Sequence, residues 1–297
     1  MDVNSTPRYV SSTDTSGFTN SFRREDADAE AAAPATPDPG CGRDAERYHM
    51  AHARRGVALV LNHERVGGME QRKGTAKDCQ DLVRALEGLG FEVDVRQDLS
   101  CLGVKACLRA VAALDHSDAD CLVVAAMTHG DPDLLFASDG AYPVKDLWQP
   151  FTADKCPSLA AKPKLFFVQA CRGKKVDDGV RVTQTLERDS IDGSLTSYTI
   201  PIQADILVAY STVEGYYSWR NPRNGSWFIQ SLCKELRVNG ASHHLLTLLT
   251  FVCRRVAVDY QSAVPFNYEM DLKKQVPTIT STLTRLVYFP SKKGHAG

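Results

Sequence analysis

Long apolar runs are missing from this chain. No stretch approaches the roughly 20 residues that a membrane-spanning helix needs. The N-terminus, MDVNSTPRYVSSTD, has neither the basic start nor the apolar core of a secretory signal. An excess of charge is missing too: 35 Lys and Arg stand against 36 Asp and Glu, for a net charge of −1. Nothing in that balance recommends nucleic acid or an anionic membrane as a partner. Cysteine is present nine times but without any pairing pattern. There is no Cys-x-x-Cys and no Cys/His cluster at zinc spacing, so no metal site is expected. Most of the cysteines sit in apolar segments and read as small buried hydrophobes, which points to a reducing compartment, the cytosol. Phosphate-binding glycine patterns are also absent. VGGMEQRKGT follows the first apolar strand with neither G-x-G-x-x-G nor G-x-x-x-x-G-K-[ST] spacing, which argues against a nucleotide-binding domain.

What is present is an ordinary globular balance, 43% hydrophobic and 24% charged. Residues 1–47 are polar and read as a disordered tail, because EDADAEAAAPATPDPG buries too little surface to offset its ordering entropy. From Tyr48 the pattern changes. GVALVLNH (56–63), FEVDVRQDL (91–99), CLVVAAMTHG (121–130) and KLFFVQAC (164–171) read as strands. Helices are expected over 75–90, 104–116 and, briefly, 144–153. Thr75 with Asp78 resembles a capping box for the first. This alternation argues for an α/β fold with a mostly parallel sheet and helices on both faces. Ligands of such sheets bind at the carboxyl ends of the strands, where MTHG and QACRG fall.

Residues 172–197 are polar and aperiodic, longer than a structureless loop in a compact domain usually is. After them come ADILVAYST (204–212) as a strand, two helices over 225–240 (with Ser226 as cap) and 244–260, and TRLVYF (284–289) as a final strand.

FFVQACRG places Cys171 where a buried strand ends and charge begins. A cysteine in an apolar strand is ordinarily a core residue. Here the chain leaves the core just after it, and His129 ends the preceding strand. Parallel neighbours bring those two ends together, so His129 could serve the thiol or a leaving group as general acid–base. A nearby imidazolium would favour the thiolate. Amides at Gly130 and Cys171 could stabilise an oxyanion, with glycine allowing close approach of substrate.

QACRG, with a histidine 42 positions upstream, matches the caspase signature. From about Tyr48 to Phe289 the chain resembles caspases, and among them the effector caspases of insects. HSDADCL (116–122), FTADKCPSLAAKPKLFFVQACRG (151–173), ADILVAYSTVEGYYSWRNPRNGSWFIQSL (204–232) and LLTLLTFVC (245–253) carry the likeness in order. The resemblance implies a six-stranded, mostly parallel sheet flanked by helices. It implies a cysteine endopeptidase that cuts proteins after aspartate, at DxxD-type sites, in apoptosis. His129 and Cys171 would be catalytic, with Gly130 lending an amide and no cofactor required. Arg72, Gln169 and Arg220 would clasp the substrate aspartate, and Ser218 and Arg220 its backbone. Tyr217, Trp219 and Trp227 would wall the preceding subsites. The family is made as a zymogen. By that analogy, residues 1–47 form a short prodomain, 48–192 a large subunit and 193–297 a small one. Cleavage is expected after Asp192 in the 172–197 linker and after Asp28 in the tail, with Asp178 and Asp189 as other linker candidates. An upstream initiator caspase, inhibitor-of-apoptosis proteins and a second copy of the chain would be partners in the cytoplasm. The alternative is a catalytically weak relative that regulates other caspases by binding them.

Some positions depart from the family pattern. Thr278 and Thr282 replace the usual Cys and Met before the strand expected to pair the two units, assigned here to TRLVYF. Lys73 and Ala76 flank Arg72 unusually, and loop 264–272 matches poorly, which bears on the pocket four residues before the cut.

Overall fold

The computed structural model describes residues 42, 44–179 and 201–292. Asp28, Asp189 and Asp192 lie outside the described residues, as do most of the expected prodomain and linker. In chain order the elements are β1 (Val57–Asn62), α1 (Thr75–Gly88), β2 (Glu92–Gln97), α2 (Cys101–Ala112) and β3 (Leu122–Met127). A small antiparallel sheet follows: β4 (Gly130–Asp131), β5 (Leu134–Ala137) and β6 (Gly140–Pro143). Then come β7 (Lys164–Gln169), β8 (Ile206–Tyr210), the two-residue strands β9 (Arg220–Asn221) and β10 (Gly225–Ser226), α3 (Trp227–Asn239), α4 (Leu245–Asp259) and β11 (Thr278–Ser281).

The main sheet has six strands in the order β11-β8-β7-β3-β1-β2. All of its pairs are parallel except β11 on β8. Its central strands are buried on both sides, so alternate residues feed two cores. Ala58, Val60, Val123, Ala125, Leu165 and Phe167 face α1, α3 and α4 through Leu82, Leu86, Phe228, Leu232 and Leu248. Val57, Leu59, Leu61, Val124 and Phe166 face α2 through Val104 and Leu108. Each large side chain so buried contributes about 1.5–3 kcal/mol, which is why the strand sequences are continuous apolar runs.

Several expectations change. TRLVYF is not the final strand. Val287 and Phe289 point inward and give the segment a strand-like alternation, but its backbone finds only scattered partners, such as Tyr48 N and Glu46 O on either side of Leu286. The sheet edge is instead β11, whose sequence TITS is too polar to register as a buried strand. Thr75 and Asp78 do not form a capping box. α1 starts after Gly74 with no side-chain cap, and both residues are committed to tertiary hydrogen bonds. Ser226 stands at the N-cap position of α3, yet its hydroxyl donates to Asp78 rather than capping its own helix. α2 begins at Cys101 because the Ser100 hydroxyl accepts the Gly103 amide at 3.1 Å. Residues 144–153 form two 3₁₀ turns, Val144–Leu147 and Gln149–Phe151, with Pro150 opposing a continuous helix.

The ordered chain also extends past both expected boundaries. Arg47 bridges Leu286, and the buried Tyr48 hydroxyl donates to Asp205 at 2.6 Å. Residues 172–179 are not free loop: Lys175 bridges Tyr216 and Asp177 bridges Lys274. Asp178 accepts an ion pair from Lys273 at 2.5 Å.

Candidate active site

β3 and β7 lie side by side and parallel, with Met127 opposite Gln169. His129 and Cys171 each stand two residues beyond those strand ends. Gly130 locks the second to the first: a Cβ there would stand 2.5 Å from the Cys171 carbonyl oxygen and 2.9 Å from Ala170 Cβ. Glycine is therefore demanded here by the packing of one chain segment on another, whereas the sequence argument had assigned it to substrate approach.

The His129 ring is held by Nε2 donating to the Glu70 carbonyl at 2.8 Å. That bond fixes the tautomer and leaves Nδ1 as the atom able to exchange a proton. The Cys171 thiol rests against another loop. It accepts the Ser218 amide at 3.5 Å and faces the Ser218 carbonyl at 3.8 Å. Thiol and imidazole are not hydrogen-bonded to each other; each is held by a backbone group of another loop. Burial pushes the Cys171 thiol up, against the pull of the Ser218 amide and of Arg72 and Arg220. Burial, with the charges of Arg72 and Arg220, holds His129 below its ordinary value. Both shifts favour the uncharged forms of thiol and imidazole at neutral pH.

Arg72 is 1% exposed, so it is not a solvated surface charge. Its Nη1 donates to the His63 carbonyl and to Thr75 Oγ1, both at 2.8 Å. Thr75 in turn donates to Asn62 Oδ1 at 2.6 Å, at the carboxyl end of β1. Nε and Nη2, the two donors along one side of the guanidinium, are buried and unpartnered. Burial and the like charge of Arg220 press Arg72 down to about 9, still cationic at neutral pH. Arg220 is half-buried, anchored by Nε donating to the Lys73 carbonyl at 2.9 Å. Gln169 is buried and gives its amide to Ser218 Oγ at 2.8 Å, leaving Oε1 unpaired. Half a turn of that amide would let Ser218 donate to Oε1 and free the NH₂ for a ligand.

Beside these groups the aromatics form a row. Tyr217 meets Trp219 edge-on at 5.0 Å, Trp219 stacks on Trp227 at 5.7 Å, and Trp227 stacks on Tyr260 at 5.3 Å. Tyr217 is the exposed member, while Trp219 and Trp227 also belong to the core. Sequence reasoning missed Tyr260 and Gln275. Gln275 accepts the Trp219 amide at 2.6 Å and donates to the Ser211 carbonyl at 2.6 Å, so it fixes the strand-like run that bears the wall. It also missed His63, Asn62 and Glu70, two of which act through backbone carbonyls that carry no signal in side-chain identity.

Among the described residues no group of His, Cys, Asp and Glu could hold a metal ion, and no helix is long and apolar enough to cross a membrane. The eight described cysteines are all free.

Comparison with known proteins agrees with this geometry. The family model described as Caspase domain matches residues 55–288. Caspase-1 of Spodoptera frugiperda is 50% identical over 256 residues, 85% of this chain and 84% of that protein. Caspase drICE of Drosophila melanogaster is 48% identical over 253 residues, 84% and 74% respectively. The crystal structure of the Spodoptera Caspase-1 superposes with a TM-score of 0.81 at 46% identity, covering 86% of this chain and 98% of that one. A cysteine and a histidine beyond the ends of two neighbouring strands and a family match across the whole sheet converge on one conclusion: the chain belongs to the caspase family and is a cysteine-type peptidase.

Proposed function

We propose that the chain is an effector caspase, cutting proteins after aspartate with Cys171 as nucleophile and His129 as proton carrier. The observation that carries this reading is Arg72: a guanidinium sealed from water with two parallel donors unfilled. An unpaired buried charge is costly, and a carboxylate received by both donors offsets that cost. The positive charge of Arg220 adds to the attraction, and the turned amide of Gln169 supplies a further donor. A site built this way rejects substrates that lack the acid group, by about 10⁴ or more.

The steps follow from the held atoms. The substrate backbone lies along Ser218 and Arg220 as an added strand. As its carbonyl approaches, Nδ1 of His129 takes the thiol proton and Cys171 Sγ bonds to the carbonyl carbon. Amides of Gly130 and Cys171 receive the developing oxyanion. His129 returns the proton to the leaving amine, and water then hydrolyses the thioester with His129 as base.

The same reading makes residues 48–192 a large and 193–297 a small subunit, separated after Asp192 within the 172–197 linker, with a prodomain removed after Asp28. The exposed edge at β11 is the surface for pairing two units. Thr282 lies just beyond that edge and is exposed. Its hydroxyl donates to the Gln203 carbonyl at 2.6 Å and accepts the Ile206 amide at 3.2 Å within its own chain. An upstream initiator caspase, inhibitor-of-apoptosis proteins, an apoptotic role and a cytoplasmic location belong to this proposal.

Bacterial expression beside Cys171→Ala tests it, with a fluorogenic Asp-Glu-Val-Asp peptide and the fragments sized on a gel. Wild type should cleave the peptide and itself near Asp192, and the alanine variant should do neither. A wild type that stays inactive after its linker is cut by an added caspase would instead point to a regulatory relative.

A further inference from the structure

Asp78 lies in the first turn of α1 and is completely buried. It has no direct ion pair among the described residues, and no step proposed above uses it. Its carboxylate nevertheless collects four hydrogen bonds, all from the other side of the 172–197 linker. The Ser226 amide reaches both oxygens at 2.9 Å, the Ser226 hydroxyl donates to Oδ2 at 2.5 Å, and Gln230 Nε2 donates to Oδ1 at 2.9 Å. Ser226 pairs with Arg220 across the β9–β10 hairpin. The turn residue before it, Gly225, has φ 87°, and a Cβ there would fall 2.2 Å from Asp78 Oδ1. Only glycine lets the hairpin close onto this carboxylate.

Three residues earlier, α1 opens with Thr75, the residue that receives Arg72 Nη1. One helical turn thus carries both the support of the first guanidinium, Thr75, and the anchor of the second one's hairpin, Asp78. A third tie, Arg220 Nε to the Lys73 carbonyl, runs parallel to it. The same anchor sits where α3 begins, so it also places Trp227, the first residue of that helix. A buried carboxylate held by four hydrogen bonds from three donors keeps a single geometry, because every alternative leaves a donor unpaired.

We infer that Asp78 is a positioning residue for substrate recognition: it clamps the Arg220 hairpin to the helix behind Arg72, so that both guanidinium groups converge on one carboxylate. This rests on the reading of Arg72 and Arg220 as the aspartate pocket. The clamp joins residues on opposite sides of the expected maturation cut, so it would hold the pocket together once the chain is in two pieces.

Asparagine is the conservative variant. Its Oδ1 still accepts the Ser226 amide, and Gln230 can turn its own amide to accept from Nδ2. Alanine removes every acceptor. The experiment measures binding by calorimetry to the Cys171→Ala chain, cut in the linker by an added caspase. The probes are acetylated peptides ending in Asp-Glu-Val-Asp or Asp-Glu-Val-Asn. The parent should prefer aspartate. Asp78→Ala should lose at least about tenfold of that preference, and Asp78→Asn should stay within about threefold of the parent. Gly225→Ala, which pushes a methyl into the carboxylate from the opposite strand, should lose the preference as Asp78→Ala does. It also serves if Asp78→Ala fails to fold. If Asp78→Ala keeps the preference, weakens both peptides equally, or is matched by Asp78→Asn, the positioning role is overturned and the pocket stands. If the parent itself does not prefer aspartate, the pocket reading falls and the clamp with it.

Discussion

The thiol of Cys171 lies 3.5 Å from the amide nitrogen of Ser218, the residue that also receives the side chain of Gln169. The proposed nucleophile and the proposed aspartate pocket are therefore braced on the same short segment. The thiol is held by a backbone dipole rather than by an imidazolium.

That arrangement predicts a distinct pH profile for Cys171. A preformed thiolate–imidazolium pair reacts with iodoacetamide at a rate already level below neutrality. Here burial raises the thiol above its ordinary 9.0, so the thiolate fraction is still climbing at pH 9. Alkylation of Cys171 should accelerate steadily from pH 6 to pH 9 without a plateau. His129, lowered from 6.5, gains its proton only at more acid pH, so it adds no inflection above that value. Mass spectrometry of the peptide containing Cys171 measures the rate. A plateau between pH 5 and 8 would contradict the neutral resting pair.

Arg72→Lys keeps the charge but loses the fork. A lysine cannot present two parallel donors while also holding the His63 carbonyl and Thr75. Its kcat/KM on aspartate peptides should fall by at least about a hundredfold, with circular dichroism unchanged. Wild-type kinetics in this variant would remove Arg72 from the pocket.

Gly130→Ala places a methyl 2.5 Å from the Cys171 carbonyl oxygen, backbone against backbone. Neither segment can yield without moving Cys171, the proposed nucleophile. Overpacking of this kind costs about 1–3 kcal/mol, and a displaced nucleophile loses about a hundredfold in rate. Thermal melting and peptide kinetics read the two effects separately. A variant with normal kcat would show that the strand ends tolerate the shift.

Much of this was legible in the sequence, and the failures have causes. Strands buried on both faces are unbroken apolar runs, so β1, β3, β7 and β8 could be read directly. β11 could not, because an edge strand of Thr, Ile, Thr and Ser carries no apolar run, while Val287 and Phe289 imitate a strand by packing alternately into the core. Arg72, Gln169 and Arg220 were nameable from a family resemblance, but the burial of Arg72 and Gln169 and the unfilled donors of Arg72 were not, since side-chain exposure is set by segments distant in sequence. Thr75 and Asp78 fit a local capping rule, and tertiary partners at Asn62 and Ser226 outcompeted it.

Asp120 tests the ties that hold the body together away from the site. Fully buried, it takes Arg55 Nη1 at 2.8 Å, Lys292 Nζ at 2.6 Å and His52 Nδ1 at 3.0 Å. Arg55 also donates to the Pro290 carbonyl, so the cluster fastens the last described residues onto the start of the sheet. Asp120→Ala leaves buried cations uncompensated and should cost about 3–5 kcal/mol in urea unfolding. A loss under about 1 kcal/mol would mean that water reaches the cluster.

The most direct measurement of the central claim is covalent labelling. The linker-cut chain would be treated with an Asp-Glu-Val-Asp fluoromethyl ketone, beside the same reagent ending in asparagine, and the adduct located by peptide mass spectrometry. The account predicts one adduct per chain, on Cys171, formed by the aspartate reagent and at least about a hundredfold more slowly by the asparagine one. Labelling at Cys101, Cys107 or Cys253, or equal labelling by both reagents, would contradict it.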